Sequence, residues 1–97
     1  MKSITAAELK GWQRTVKEYI LLDVREEWEH AAYNIGGINI PLGEIMANKN
    51  MLDKTKTIVV YCEKGIRSAI AIQRLEAYGF ADMLNLEGGM SAWRKTE

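Results

Sequence analysis

Scarcity bounds this chain before any motif does. Among 97 residues there is one cysteine, Cys62, so no internal disulfide can close and no thiolate zinc site can be assembled; a lone thiol suits a reducing compartment. The one histidine, His30, lies in a different polar segment from the cysteine, which leaves Cys62 without an adjacent imidazole base. Thirteen basic residues face thirteen acidic ones, for a formal charge of zero. That balance gives no support for nucleic acid or a membrane surface as partner, where a basic excess is expected. No apolar run approaches the length of a membrane span, and the N-terminus lacks the apolar core of a signal peptide. We therefore expect a soluble, cytoplasmic protein. Repeats, low-complexity tracts and long linkers are missing too, and nothing calls for a metal or an organic cofactor.

What is present is enough for one domain spanning 1–97, with a real core but near the lower limit for a sheet covered on both faces. The chain is organised around Thr57–Arg74. Ile58-Val-Val-Tyr61 is apolar on both faces, as suits a strand covered on both sides of a parallel sheet. It delivers Cys62 to the carboxyl edge, where open α/β sheets bind ligands. From Arg67 onward Ile70, Ala71, Leu75 and Tyr78 recur at helical spacing, with Gly79 as a stop. The loop between strand and helix thus sits over a helix N-terminus, whose unpaired amides attract an anion. Gly65 lets the loop curl so that its amides converge.

A thiol at that point should ionise more readily than a free one, of pKa about 8.5, because the helix N-terminus, Lys64 and Arg67 all favour the thiolate. A cysteine is more often inert packing; one that directly follows a buried strand and precedes a cationic glycine loop and a helix reads instead as a nucleophile.

Cys62-Glu-Lys-Gly-Ile-Arg-Ser68 resembles the active-site loop of the rhodanese family, specifically a stand-alone single-domain rhodanese. Leu21-Leu-Asp-Val-Arg25 resembles the family's Asp-Val-Arg segment, Gly36-Gly-Ile-Asn-Ile-Pro41 its glycine turn and strand, and Leu86-Glu-Gly-Gly-Met-Ser-Ala-Trp93 its C-terminal signature. The four stretches fall in order over most of the chain. The resemblance implies a three-layer α/β/α domain with a central, mostly parallel five-stranded sheet in the order 1-5-4-2-3. The Cys62 strand would then be central. One stretch departs from the pattern: where relatives commonly show histidine before the glycine turn, this chain has Tyr33, and His30 falls three positions early.

Taken in order, Ser3-Ile4 reads as a short edge strand. Thr5-Ala-Ala-Glu8 is a capping box opening a helix with Leu9, Trp12 and Val16 on one side, Trp12 as core. Gly11 is expected to break or bend that helix. Tyr19–Val24 reads as the second buried strand, with Asp23 and Arg25 at its carboxyl end. We read those two as a supporting ion pair or a cap for the Glu26–Glu29 turn, although they could instead orient the active loop. His30, among charged neighbours, reads as a solvated side chain rather than a catalytic base.

Gly37–Pro41 is a short strand ending at the only proline, as an edge strand should. A short helix begins at Leu42, with Met46 and Met51 as gap-filling core. Met83-Leu-Asn-Leu86 is the last strand. Gly88-Gly89 either brings backbone close to the active loop or merely serves the turn, and Ser91 begins a terminal helix on which Trp93 closes the core. Strands alternating with helices give an α/β domain with a mostly parallel sheet.

The chemistry implied is sulfur transfer of the thiosulfate:cyanide type. The Cys62 thiolate would take the outer sulfur from thiosulfate or a persulfide and become a persulfide. Loop amides from Glu63 to Ser68, with the Arg67 cation and the Ser68 hydroxyl, would stabilise the anion as an oxyanion hole does, an effect of about 3 kcal/mol per well-placed donor. Lys64 reads equally as a rim charge for an anionic donor and as an ordinary solvated lysine. Glu63 and Ile66 complete the rim, Glu63 pointing outward. With no second cysteine the sulfur must pass to an outside acceptor: cyanide in an assay, a thiol or a sulfur-accepting protein in the cell.

Two alternatives remain at this level. One is a carrier or binding module with little turnover. The other is a phosphatase or arsenate reductase, whose phosphate cradle has five residues between cysteine and arginine; Cys62 and Arg67 enclose four, a narrower ring that fits a sulfur atom better than a tetrahedral oxyanion.

Overall fold

A computed structural model describes residues 1–15 and 17–97. Val16, expected on the first helix's apolar side, lies outside the described residues. Five strands form one sheet in the order β1-β5-β4-β2-β3, and every neighbouring pair runs parallel. They are β1 (Ser3–Ile4), β2 (Ile20–Asp23), β3 (Ile38–Asn39), β4 (Ile58–Tyr61) and β5 (Met83–Leu86); α1 (Ala6–Gln13) follows β1, α2 (Glu27–Ala32) follows β2, α3 (Ile66–Glu76) links β4 to β5, and α4 (Gly89–Arg94) follows β5.

The period of two along β4 sorts the core into two layers. Ile58 and Val60 face one side, with Leu22, Val24, Ala71, Ile72 and Leu75. Val59 and Tyr61 face the other, with Leu9, Leu86, Met90 and Trp93. Both faces of β4 are therefore dry, which is why its sequence is apolar throughout, and Trp93 closes the second layer as expected. The alternation also decides where the next residue goes: Cys62 falls in the α3 layer.

Local signals act as the sequence predicts at α1. The Thr5 hydroxyl accepts from the Glu8 amide at 3.1 Å, and the Glu8 carboxylate from the Thr5 amide at 2.9 Å. The helix runs through Gly11 to Gln13 without breaking there. Other expectations are corrected. The chain after Pro41 forms two short 3-10 turns, Leu42–Glu44 and Lys49–Met51, rather than an α-helix. Met46 packs against the core, but Met51 is 62% exposed. Tyr78 lies beyond the end of α3 and is exposed, and the buried stripe of that helix is Ser68, Ala71, Ile72 and Leu75. The stripe thus begins on a polar residue beside Cys62. No helix among the described residues is long and apolar enough to cross a membrane.

Candidate active site

Leaving β4 at Tyr61, the chain places Cys62 at the carboxyl edge and turns at Gly65. The φ of +94° at Gly65 is a left-handed value that favours glycine, and it allows α3 to start at the next residue. The turn brings two peptide N–H groups onto the sulfur: Gly65 donates to Cys62 Sγ at 3.0 Å and Ser68 at 3.3 Å. The cysteine itself is buried, with 1% of its surface exposed. The approach to it is a pocket of about 380 Å³ lined by Cys62, Glu63, Lys64, Ile66 and Arg67. Ile66, 68% exposed, and Lys64 stand outermost at its rim.

Ser68 is fully buried, and its Oγ lies 3.3 Å from Sγ. Its hydroxyl, however, donates to Oδ1 of Asn85 at 2.5 Å, and the Nδ2 of the same amide donates to the Gly65 carbonyl at 3.1 Å. Asn85 is on β5, beside Val60 of β4.

Arg67 does not present a free cation to the pocket. Its two Nη groups grip the Glu29 carboxylate at 2.7 and 2.9 Å. The Arg67 fork pulls Glu29 down to about 2, and the pair in turn raises Arg67 above its ordinary value. Glu29 Oε1 also accepts from the Glu26 amide at 3.0 Å, so the start of α2 fixes the carboxylate that holds the arginine. Glu63, expected to point outward, is half-buried and bound by both Nη groups of Arg94, with Arg25 Nη1 at 3.8 Å.

Asp23 and Arg25 form the ion pair foreseen at the end of β2, and both are buried. Arg25 Nε donates to both Asp23 oxygens at 3.0 and 3.1 Å, and Nη2 reaches Oδ2 at 2.9 Å and the Tyr33 carbonyl at 2.7 Å. Burial is the strongest single influence and pulls the Arg25 guanidinium down, but the hydrogen bonds to Asp23 and the attraction of its charge together, with a smaller contribution from Tyr61, hold the group above its usual value. His30 is corrected: it is not a solvated side chain, because its Nδ1 lies 2.8 Å from Asp23 Oδ2 and its side chain is 22% exposed. Tyr33, at the position of the family's histidine, is on the surface, and its hydroxyl donates to Glu97.

The two glycines after β5 divide the alternatives: Gly88, at a φ of +73°, serves the turn, where a Cβ would meet Ala92 of α4, and Gly89 allows the close approach to the loop. A Cβ on Gly89 would stand 2.7 Å from the Glu63 carbonyl carbon and closer still to the Cys62 carbonyl oxygen. Freed of that clash, the first amides of α4 reach the loop: Met90 donates to the Cys62 carbonyl and Ser91 to the Glu63 carbonyl, both at 2.9 Å.

Three site residues were not singled out from the sequence: Asn85, Glu29 and Arg94. A polar residue inside the apolar β5 segment was the available signal for Asn85. Nothing in sequence spacing pairs Glu29 with Arg67 or Glu63 with Arg94, since these contacts cross the sheet edge. Among the described residues no group of three His, Cys, Asp or Glu side chains is placed to hold a metal ion.

Comparison with known proteins adds three findings. A family model described as the rhodanese-like domain matches residues 5–96. The crystal structure of a rhodanese-like domain protein from Staphylococcus aureus superposes with a TM-score of 0.88 at 40% identity, covering 96% of this chain and 91% of that one. Among curated proteins, the putative sulfurtransferase YtwF of Bacillus subtilis is 38% identical over 96% of this chain and 90% of its own length. The probable adenylyltransferase/sulfurtransferase MoeZ of Mycobacterium tuberculosis is 35% identical over 96% of this chain, which spans only 24% of that protein.

Proposed function

The chain belongs to the rhodanese-like domain family, and on that premise we propose that it transfers sulfane sulfur through Cys62. The thiolate attacks the outer sulfur of thiosulfate; a new S–S bond forms, the donor's S–S bond breaks, and sulfite leaves with the electron pair. The negative charge now sits on the outer sulfur of the Cys62 persulfide, in the pocket beside Lys64, Ile66 and Arg67. An acceptor then attacks that outer sulfur. Cyanide leaves as thiocyanate, or a thiol as a persulfide, and Sγ recovers its electron pair. A low-molecular-weight persulfide serves as donor by the same exchange.

The observation that carries the reading is the pair of amides on Sγ. In the second half-reaction Sγ is the leaving group, and a thiolate held by two preorganised N–H donors leaves more readily. Lys64 makes no ion pair among the described residues and is the cation at the rim that an anionic donor meets first.

Arg67 weighs against phosphoryl transfer. Both of its terminal nitrogens hold Glu29, so the end-on fork of the guanidinium is taken and its charge is already matched before a phosphoryl group meets it. A carrier role keeps one point of support: the sulfur is buried and the chain has no resolving cysteine, so a partner able to reach into the pocket must collect the product.

The test is incubation of the protein with thiosulfate, followed by intact mass. We expect a gain of one sulfur on Cys62, its release as thiocyanate on adding cyanide, and neither event in Cys62→Ser. Loading without turnover on small acceptors would assign the carrier role instead. No sulfur gain from thiosulfate or a small persulfide, or a phosphate-ester hydrolysis that Cys62→Ser abolishes, would overturn the reading.

A further inference from the structure

The hydroxyl of Ser68 has one proton, and the structure shows where it goes. Asn85 donates through Nδ2 to the Gly65 carbonyl, an acceptor that only an N–H can satisfy. The same nitrogen is 3.9 Å from the Met1 thioether, itself only an acceptor. The amide orientation is thereby fixed, and the group facing Ser68 is Oδ1, which cannot donate. The bond of 2.5 Å is therefore Ser68 O–H to Asn85. What Ser68 turns toward Sγ, 3.3 Å away, is a lone pair.

We propose that Asn85 is a positioning residue that withholds the Ser68 hydroxyl proton from Cys62. Ser68 then accepts the S–H of the resting thiol, and the sulfur anion is held by the Gly65 and Ser68 peptide amides alone. The same side chain pins Gly65 through its carbonyl and so keeps one of those amides aimed. A single carboxamide on β5 governs both the side-chain and the backbone half of the cradle. This places the buried hydroxyl in the opposite role from the one its neighbourhood suggests, which is donation to the anion.

The inference rests on Cys62 being the reactive sulfur, but it is read by alkylation and not by sulfur transfer. The charged groups around the site are Glu63 and Lys64 of the loop, Arg67 of α3 with Glu29 of α2, Asp23 and Arg25 at the end of β2, and Arg94 of α4. None of them hydrogen-bonds Ser68 or Asn85 among the described residues, so substitution at Ser68 or Asn85 leaves these pairs in place.

The experiment is the pH dependence of Cys62 alkylation by iodoacetamide in wild type, Ser68→Ala, Asn85→Leu and the double variant. If Asn85 withholds the proton, Ser68→Ala leaves the midpoint in place or moves it to lower pH, because the anion loses no donor and the thiol loses its acceptor. Asn85→Leu frees the hydroxyl to donate to the anion, so its midpoint falls by about half a unit or more and its rate at pH 6 rises about threefold. Adding Asn85→Leu to Ser68→Ala produces no such fall, because no hydroxyl is left to free, and any change there is a rise from the loosened Gly65 amide. A midpoint that rises in Ser68→Ala shows the hydroxyl donating to the anion in the native protein and overturns the proposal, whatever Asn85→Leu does to folding. An Asn85→Leu loss of rate at every pH with an unmoved midpoint, the same in both backgrounds, assigns Asn85 a purely structural role and also overturns it. Failure of sulfur loading with these alkylation results intact would sink the proposed reaction and leave the positioning role standing.

Discussion

At the carboxyl edge of the sheet, the end of β2 is built from charge and the end of β4 from neutral dipoles. Asp23, Arg25, Glu63 and Arg94 form a continuous run of ionic contacts, with His30 hydrogen-bonded to Asp23 and with Glu29 and Arg67 as a second pair beside it. Cys62 Sγ, a few residues away in space, is bound by two peptide N–H groups and faces a hydroxyl tied to a carboxamide. The charges are almost all matched against one another. They fix where backbone goes, whereas the neutral groups touch the sulfur on which the proposed reaction turns. Buried ion pairs bring little net stability, since desolvation offsets their attraction, but removing one partner strands the other. The two regions should therefore fail in different ways.

The sharpest break is Asp23→Ala. It leaves the Arg25 guanidinium buried with no carboxylate closer than Glu63, and we expect a loss of about 3 kcal/mol or more. Denaturant titration reads it, and the folded fraction should still alkylate at Cys62. Inactivation without destabilisation would place Asp23 in the chemistry. Next comes Gly89→Ala, where the added methyl group meets the loop carbonyls at a φ of +58°. It should cost about 2 kcal/mol or more and also slow sulfur loading severalfold, joining the two kinds of failure in one substitution.

Glu29→Gln sharpens the comparison through pH. In the folded chain Glu29 is depressed from 4.5 to about 2, first by its Arg67 hydrogen bonds. A depressed carboxylate stabilises the fold above its unfolded pKa, and that stability is lost as pH falls toward the folded value. The wild type should accordingly lose stability between about pH 4.5 and 2, and Glu29→Gln should lose less over that window while starting lower at neutral pH. Parallel curves would show that the pair contributes nothing.

The smallest effect is expected at Lys64. Lys64→Ala should slow loading by thiosulfate a few-fold at low ionic strength, with the difference closing as salt is added. A salt-independent defect would mean that the side chain does something other than attract the donor.

Most of the fold was legible in the sequence because both signals that matter are local or periodic. The apolar run at Ile58–Tyr61 marks a strand covered on both faces, and the Thr5/Glu8 pair marks a helix start. Strand order comes from the resemblance, and on α3 the apolar spacing of Ile70, Ala71, Leu75 and Tyr78 shares only Ala71 and Leu75 with the buried stripe, which also takes in Ser68 and Ile72. Ser68 is buried by its bond to Asn85, a reason no hydrophobic pattern records. The position of Cys62 and the need for Gly65 could be read from a strand followed by a glycine loop and a helix. The partners of Arg67, Glu63 and His30 could not, since each meets a side chain from another element across the sheet edge. An arginine one turn from a thiol looks in sequence like a catalytic cation; only the fold shows Glu29 already holding it.

The grip of α4 on the loop has a mechanical consequence. With the Cys62 and Glu63 carbonyls both tied to the first turn of that helix, the Cys62 loop cannot swing outward unless the helix start is pulled from its place. It behaves as a socket and not as a lid. Any molecule that is to touch Cys62 must be slender enough to enter the pocket as it stands, because the walls do not part to admit it.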